Sequence, residues 1–249
     1  KLAIKRIIDS KTFDNGVICA SEQSIVIEKS MEETVLKELK NQGAYVLNEE
    51  ESERLAKFIL RANGTMNPQI VGKSVEVIAN LADLTNVPKN TKVLVARENK
   101  VGHNVAYSRE KLTPILAFYV EENVEAIMNR CREILLNEGA GHTFSMHVND
   151  EELVKRFALN MPVSRILVNT PSALGGIGAS TNLVPALTLG CGAIGGSSTS
   201  NNIGPLDLIN VKRVAYGIKE IEELGRDKSQ VEKSMFDSMD KEELINLLV

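Results

Sequence analysis

The sequence predicts an α/β fold. Short apolar runs alternate with amphipathic stretches over most of its length, the pattern of strands threaded between helices. Several amphipathic stretches also open with residues that cap helices. A third observation bounds the regular region: from Thr170 to Pro205 the periodicity fades and glycines cluster.

Taken in order, the first residues read as a helix under way, and residues 24–28 (Ser-Ile-Val-Ile-Glu) read as a strand. Ser30 and Glu33 have capping-box spacing, which predicts a helix running to about Asn41. Asn48 with Glu51 predicts a second capped helix, carried by Leu55, Phe58 and Ile59. Residues 92–96 and 115–119 are expected strands, and residues 124–136 a helix of clear 3.6 period. Strands are expected at 143–148 and 165–169, with a helix at 151–159 between them. Beyond the glycine-rich segment, residues 206–217 read as an extended arm, residues 224–228 as a linker and residues 229–248 as a separate amphipathic helix.

The 249 residues are 43% hydrophobic and 25% charged, an ordinary globular balance able to bury a core. With 29 basic and 33 acidic side chains the net charge is −4, so no basic footprint for nucleic acid is expected. No apolar run approaches the ~20 residues that span a bilayer, and the charged start does not suit a signal peptide. A cytoplasmic location is therefore expected. Cys19, Cys131 and Cys191 are too few and too scattered for a disulfide framework. They lack zinc-ligand spacing, and His103, His142 and His147 form no i, i+4 pair, so no metal site is expected. Because the chain starts at Lys1 with a helix under way, it is expected to be a fragment lacking an N-terminal part.

Cys19 sits in a turn between helix and strand. Such a thiol is a nucleophile if exposed and partly ionised, although free cysteines are more often small buried hydrophobes. The surrounding residues decide how to read it. Phe13, Asn15, Gly16 and Cys19, with the run Cys-Ala-Ser-Glu-Gln at 19–23, resemble the catalytic motif of the CoA-acylating branch of the aldehyde dehydrogenase superfamily. That branch includes bifunctional aldehyde-alcohol dehydrogenases and microcompartment aldehyde dehydrogenases. The resemblance continues in order through Glu110 and Pro114, Gly-Ala-Gly-His-Thr at 139–143, Asn-Thr-Pro-Ser at 169–172, Gly-Gly-Ile-Gly at 175–178, Thr-Leu-Gly-Cys-Gly at 188–192 and Gly195-Gly196. It covers roughly residues 1–220.

The resemblance implies an open, mostly parallel sheet flanked by helices, with an extended C-terminal arm. It implies oxidation of a short-chain aldehyde to its acyl-CoA, with NAD as cofactor and coenzyme A as co-substrate. Cys19 would be the nucleophile, passing through a thiohemiacetal and an acyl-cysteine, with its own amide helping to hold the oxyanion. His142 would be a base or a CoA-positioning group. Glu110 would bond the nicotinamide ribose, with Leu112, Gly175 and Gly176 also by the cofactor. Cys191, Gly192 and Ile194 would wall the substrate pocket, although simple packing also accounts for Cys191. The glycines at 175, 176 and 178 are not a dinucleotide fingerprint, because they follow Thr-Pro rather than opening a helix after a strand. Cys131 is expected in the core, and His103 and His147 in surface or packing positions.

The expected organisation is a catalytic domain at 1–205, an oligomerisation arm at 206–223, and a linker with amphipathic helical tail at 224–249, most of the dinucleotide-binding domain being absent. A homodimer or higher homo-oligomer is expected, and the tail is a candidate tether to a microcompartment shell protein. Two alternatives stay open: a non-catalytic oligomerisation or binding module, and a cysteine thioesterase using Cys19 and His142 without nicotinamide.

Overall fold

A computed structural model describes residues 1–224. By its internal contacts the chain divides into one unit over residues 1–208 and a second from residue 209 onward. The expected linker and tail helix lie almost wholly outside the described residues.

The first unit is built on a four-stranded parallel sheet. Its strands are β1 (Ser24–Glu28), β2 (Ala44–Val46), β3 (Val93–Arg97) and β4 (Ile115–Glu121), in the order β1-β4-β3-β2. Ser24 pairs with Ala117, Val95 with Leu116 and Tyr45 with Leu94. The central strands are apolar at successive positions because both faces are covered. Leu94, Ala96, Ile115, Ala117 and Tyr119 belong to a core shared with α3 (Glu49–Ile59) and α4 (Val75–Leu81). Their neighbours Val93, Val95, Leu116 and Phe118 face α1 (Leu2–Thr12) and α2 (Glu32–Asn41). The two-residue period of a strand thus divides one apolar run between two cores.

A second parallel pair, β5 (Gly141–Met146) with β6 (Val163–Val168), runs in register from Gly141–Val163 to Met146–Val168. The helices α5 (Val124–Asn137) and α6 (Glu151–Asn160) cover it through Met128, Cys131 and Phe157, joined by Met161 just past the end of α6. Cys131 is buried there. The short helix α7 (Ser172–Gly176) returns to α1, where the Ala173 amide donates to Ser10 Oγ at 2.8 Å.

Several expectations need correction. The Ser30 capping box does not form: a 3-10 turn over Lys29–Met31 precedes α2, and the Ser30 hydroxyl donates instead to Glu28 Oε1 at 2.8 Å. The Asn48–Glu51 box does form, with reciprocal bonds of 2.9 and 3.0 Å. The strand expected at 143–148 starts and ends two residues earlier. The one expected at 165–169 starts at Val163 and stops before Asn169, whose φ of 56° turns the chain out of the sheet. The glycines at 175 and 176 do follow a strand and lie in a helix, but at its last turn. Their amides therefore do not form the open N-terminal cradle that a phosphate requires.

In the second unit the described residues 209–224 hold one regular element, the short helix α8 (Ile221–Leu224), and the arm expected at 206–217 carries no strand. Among the described residues no helix is long and apolar enough to cross a membrane.

Candidate active site

Helix α1 ends at a sharp reversal. Asp14, Asn15 and Gly16 take successive left-handed φ values of 47°, 49° and 74°. At Gly16 any side chain is barred twice over, because a Cβ would also lie 2.7 Å from the Thr113 carbonyl oxygen. The Asn15 amide donates to the Gly72 carbonyl at 3.1 Å and fixes the reversal to the neighbouring loop. The chain then turns again, the Ser21 amide donating to the Ile18 carbonyl at 2.8 Å, with Cys19 and Ala20 at the apex. Ala20 is buried under this turn, and a Cβ on Gly176 would stand 2.7 Å from its methyl. Gly176 therefore sets how closely α7 approaches the loop.

Cys19 is half-buried and opens on a cavity of about 610 Å³, shared with Glu110, His142, Cys191, Glu22 and Ser172. Burial and then the charge of Glu110 push the thiol above its ordinary pKa. The amides of Cys19 and Ala20 and the guanidinium of Arg165 act in the opposite sense. Amides that favour a sulfur anion can equally receive an oxyanion formed on the carbon that sulfur attacks. His142, second residue of β5, is held below the ordinary imidazole pKa by burial and then by Arg165. It is thus neutral near pH 7, with Nδ1 2.9 Å from Thr143 Oγ1, and can accept a proton.

Glu110 is fixed from behind. Its amide donates to Glu138 Oε2 at 2.7 Å, and Glu138 in turn receives a forked bond from Arg109 at 2.7 and 3.2 Å. The next residue, Lys111, is fully buried, its ammonium donating to the carbonyls of Tyr107 and Arg109 at 2.7 and 2.8 Å. Burial drives the Lys111 pKa well down. Burial and then Glu138 raise Glu110. The Glu110 carboxylate accepts no hydrogen bond among the described residues, so both oxygens are available to donors in the cavity.

Of the residues singled out in the sequence, Cys19, Glu110, His142 and Cys191 share this cavity. Leu112, Gly175 and Gly176 do not line it. Leu112 has a left-handed φ of 47°, and its carbonyl accepts the Gly72 amide at 2.9 Å, which makes it a backbone hinge below Glu110. Gly192 and Ile194 line a separate groove of about 690 Å³ with Ser164 and residues 197–201; Cys191 borders both openings. His147 also lines the main cavity, and among the described residues neither ring nitrogen has a hydrogen-bond partner.

Lys11, Glu22 and Arg165 escaped sequence reasoning. Lys11 is fully buried behind the turn, and burial lowers its pKa to about 7. Glu22, also buried, is raised by burial to about 7, with Oε1 accepting the Ser172 amide at 3.1 Å and Oε2 without a partner among the described residues. Lys11 did leave a signal, since it continues the apolar stripe of Ile4, Ile7 and Ile8 at helical spacing.

The fold and sequence match solved proteins closely. A probable aldehyde dehydrogenase from Listeria monocytogenes superposes with a TM-score of 0.87 at 60% identity, over 90% of this chain and 49% of that one. An acetylating aldehyde dehydrogenase from Geobacillus thermoglucosidasius follows at 0.84 and 46% identity, over 88% of this chain and 48% of that one. The chain is homologous to acylating aldehyde dehydrogenases. Aldehyde-alcohol dehydrogenase 2 of Entamoeba histolytica extends the relationship to the bifunctional enzymes, at 39% identity over 224 residues. That match takes in 86% of this chain and 26% of the relative. The chain thus spans about half of the two solved aldehyde dehydrogenases and about a quarter of the bifunctional one. No protein-family model matches it. Its parallel sheet flanked by helices is the architecture of acylating aldehyde dehydrogenase structures.

Proposed function

We propose that this chain carries the thiol chemistry by which a short-chain aldehyde is oxidised to its acyl-CoA, with NAD as hydride acceptor and Cys19 as nucleophile. The observation that carries this reading is one cavity holding a half-buried thiol at a tight turn, an imidazole held below its ordinary pKa and a carboxylate that accepts no hydrogen bond among the described residues.

His142 takes the proton from Cys19, and the sulfur adds to the aldehyde carbon, turning the carbonyl into an alkoxide. The amide of Cys19 receives that oxyanion in a partly dry site, where such a donor counts for more than in water. As the alkoxide collapses, the hydrogen on carbon leaves with its electron pair and a thioester to Cys19 remains. When bound, the nicotinamide supplies the acceptor for that hydride. Glu110 is suited to hold its ribose, because two free carboxylate oxygens match two hydroxyl donors. His142, its first proton passed to solvent, then accepts the proton of the CoA thiol. The CoA sulfur attacks the acyl carbon, and the Cys19–acyl bond breaks to return the thiolate. The net change is aldehyde, CoA thiol and oxidised nicotinamide to acyl-CoA, reduced nicotinamide and one proton.

The test is the dependence of NADH formation on both aldehyde and CoA in the protein that carries this chain. Absorbance growth only when both are present, lost in Cys19→Ala, is the expected result. Hydrolysis of a thioester with no need of nicotinamide would establish a thioesterase instead.

A further inference from the structure

Arg165 combines features that packing alone does not require. It stands on β6 opposite Thr143, the neighbour of His142, and is 4% exposed. Its guanidinium donates to the Gly190 carbonyl at 2.6 and 2.8 Å and to the Ser200 carbonyl at 3.1 Å. These two residues stand at the mouth of a hairpin, closed below by a bridge between Leu189 and Asn202 and above by Gly192 donating to Thr199 at 2.9 Å. Cys191 rides on that hairpin, its carbonyl pressed so closely on Gly141 of β5 that a Cβ there would lie 2.0 Å from it.

Among the described residues this buried cation has no ion-pair partner, and its Nε has no hydrogen bond. A buried charge satisfied only by carbonyls is costly to keep. Burial lowers the Arg165 pKa, and the sulfurs of Cys191 and Cys19 act against that shift. We propose that Arg165 is a positioning residue: it fastens the hairpin that carries Cys191, which lines the same cavity as Cys19. In addition, its charge draws the proton from the Cys19 sulfur, against burial and Glu110. This rests on Cys19 being the reactive thiol. Glu22, Glu138, His142 and His147 also line the cavity, with Lys11 and Lys111 acting on Glu110.

Iodoacetamide labelling, followed peptide by peptide by mass spectrometry across pH, reads both parts of the proposal without calling on acyl-CoA formation. Failure of the proposed activity is therefore separable from failure of this inference. In Arg165→Gln the pH midpoint for labelling Cys19 should rise by about one unit, the low end for losing a nearby opposite charge. In Arg165→Lys the charge persists and the midpoint should stay near its original value. A single ammonium does not fork between two carbonyls. Cys191 should therefore label at least about tenfold faster in both variants, as expected on losing hydrogen bonds from a charged donor. An unchanged Cys19 midpoint in Arg165→Gln overturns the charge role. An unchanged Cys191 rate in Arg165→Lys overturns the clamp, and that outcome decides the clamp even if Arg165→Gln does not fold.

Discussion

At Cys19 the opposing influences are close in space and differ in kind. Burial and Glu110 hold the proton on sulfur, whereas two amides and Arg165 draw it off. Glu110→Gln removes one opposing charge and leaves the backbone in place, so the thiol should ionise at lower pH. Labelling of Cys19 at pH 7 should then quicken about threefold to tenfold, as for a shift of half to one unit, while the apparent KM for NAD rises. A slower labelling rate would show that Glu110 does not act on the sulfur as a charge. Behind the turn, Lys11 and Glu22 influence each other without a direct ion pair, and burial has moved both towards neutrality. Lys11→Met alone should cost about 1 kcal/mol, because Glu22 loses the buried cation acting on it but can take up a proton. Adding Glu22→Gln should recover much of that loss. Denaturant midpoints of the single and double variants decide it, and strictly additive losses would show that the two groups are uncoupled.

The elements differ in how plainly the sequence announces them. Asn48 caps α3 through both arms of its box, so Asn48→Ala should lower stability by about 1 kcal/mol. Ser30 has the same local signature yet caps nothing, because the 3-10 turn of Lys29–Met31 delays the helix start past it. Ser30→Ala should leave thermal unfolding within about 0.5 kcal/mol of the parent; a loss as large as that of Asn48→Ala would return Ser30 to the cap. Apolar periodicity made β1, β3, β4, α3, α5 and α6 legible. It passed over β2, which has only three residues, and α4, a seven-residue helix capped by Ser74. Within the site, the motif marked Cys19, Glu110, His142 and Cys191. It did not mark Arg165, because a charged residue in a strand reads as solvent-facing until the hairpin that it holds is seen.

On the scale of the whole molecule, sequence and fold agree on an α/β unit whose parallel sheet carries the Cys19 turn on the loop leading into β1. The arm from residue 206 has no strand in the described chain, although Val211, Val214 and Ile218 are β-branched, as strands prefer. We propose that it pairs with a sheet of another subunit in a dimer or larger assembly. Light scattering should then give at least twice the subunit mass for the protein carrying this chain, and a monomer at micromolar concentration would contradict it. The central claim, that Cys19 is the atom on which the aldehyde is oxidised, is tested most directly by trapping the intermediate. Incubation with a short aldehyde and NAD but no CoA, followed by acid quench and peptide mass spectrometry, should place an acyl group on the peptide containing Cys19. Added CoA should remove it. An adduct on Cys191 or Cys131, or none while NADH accumulates, would contradict the assignment.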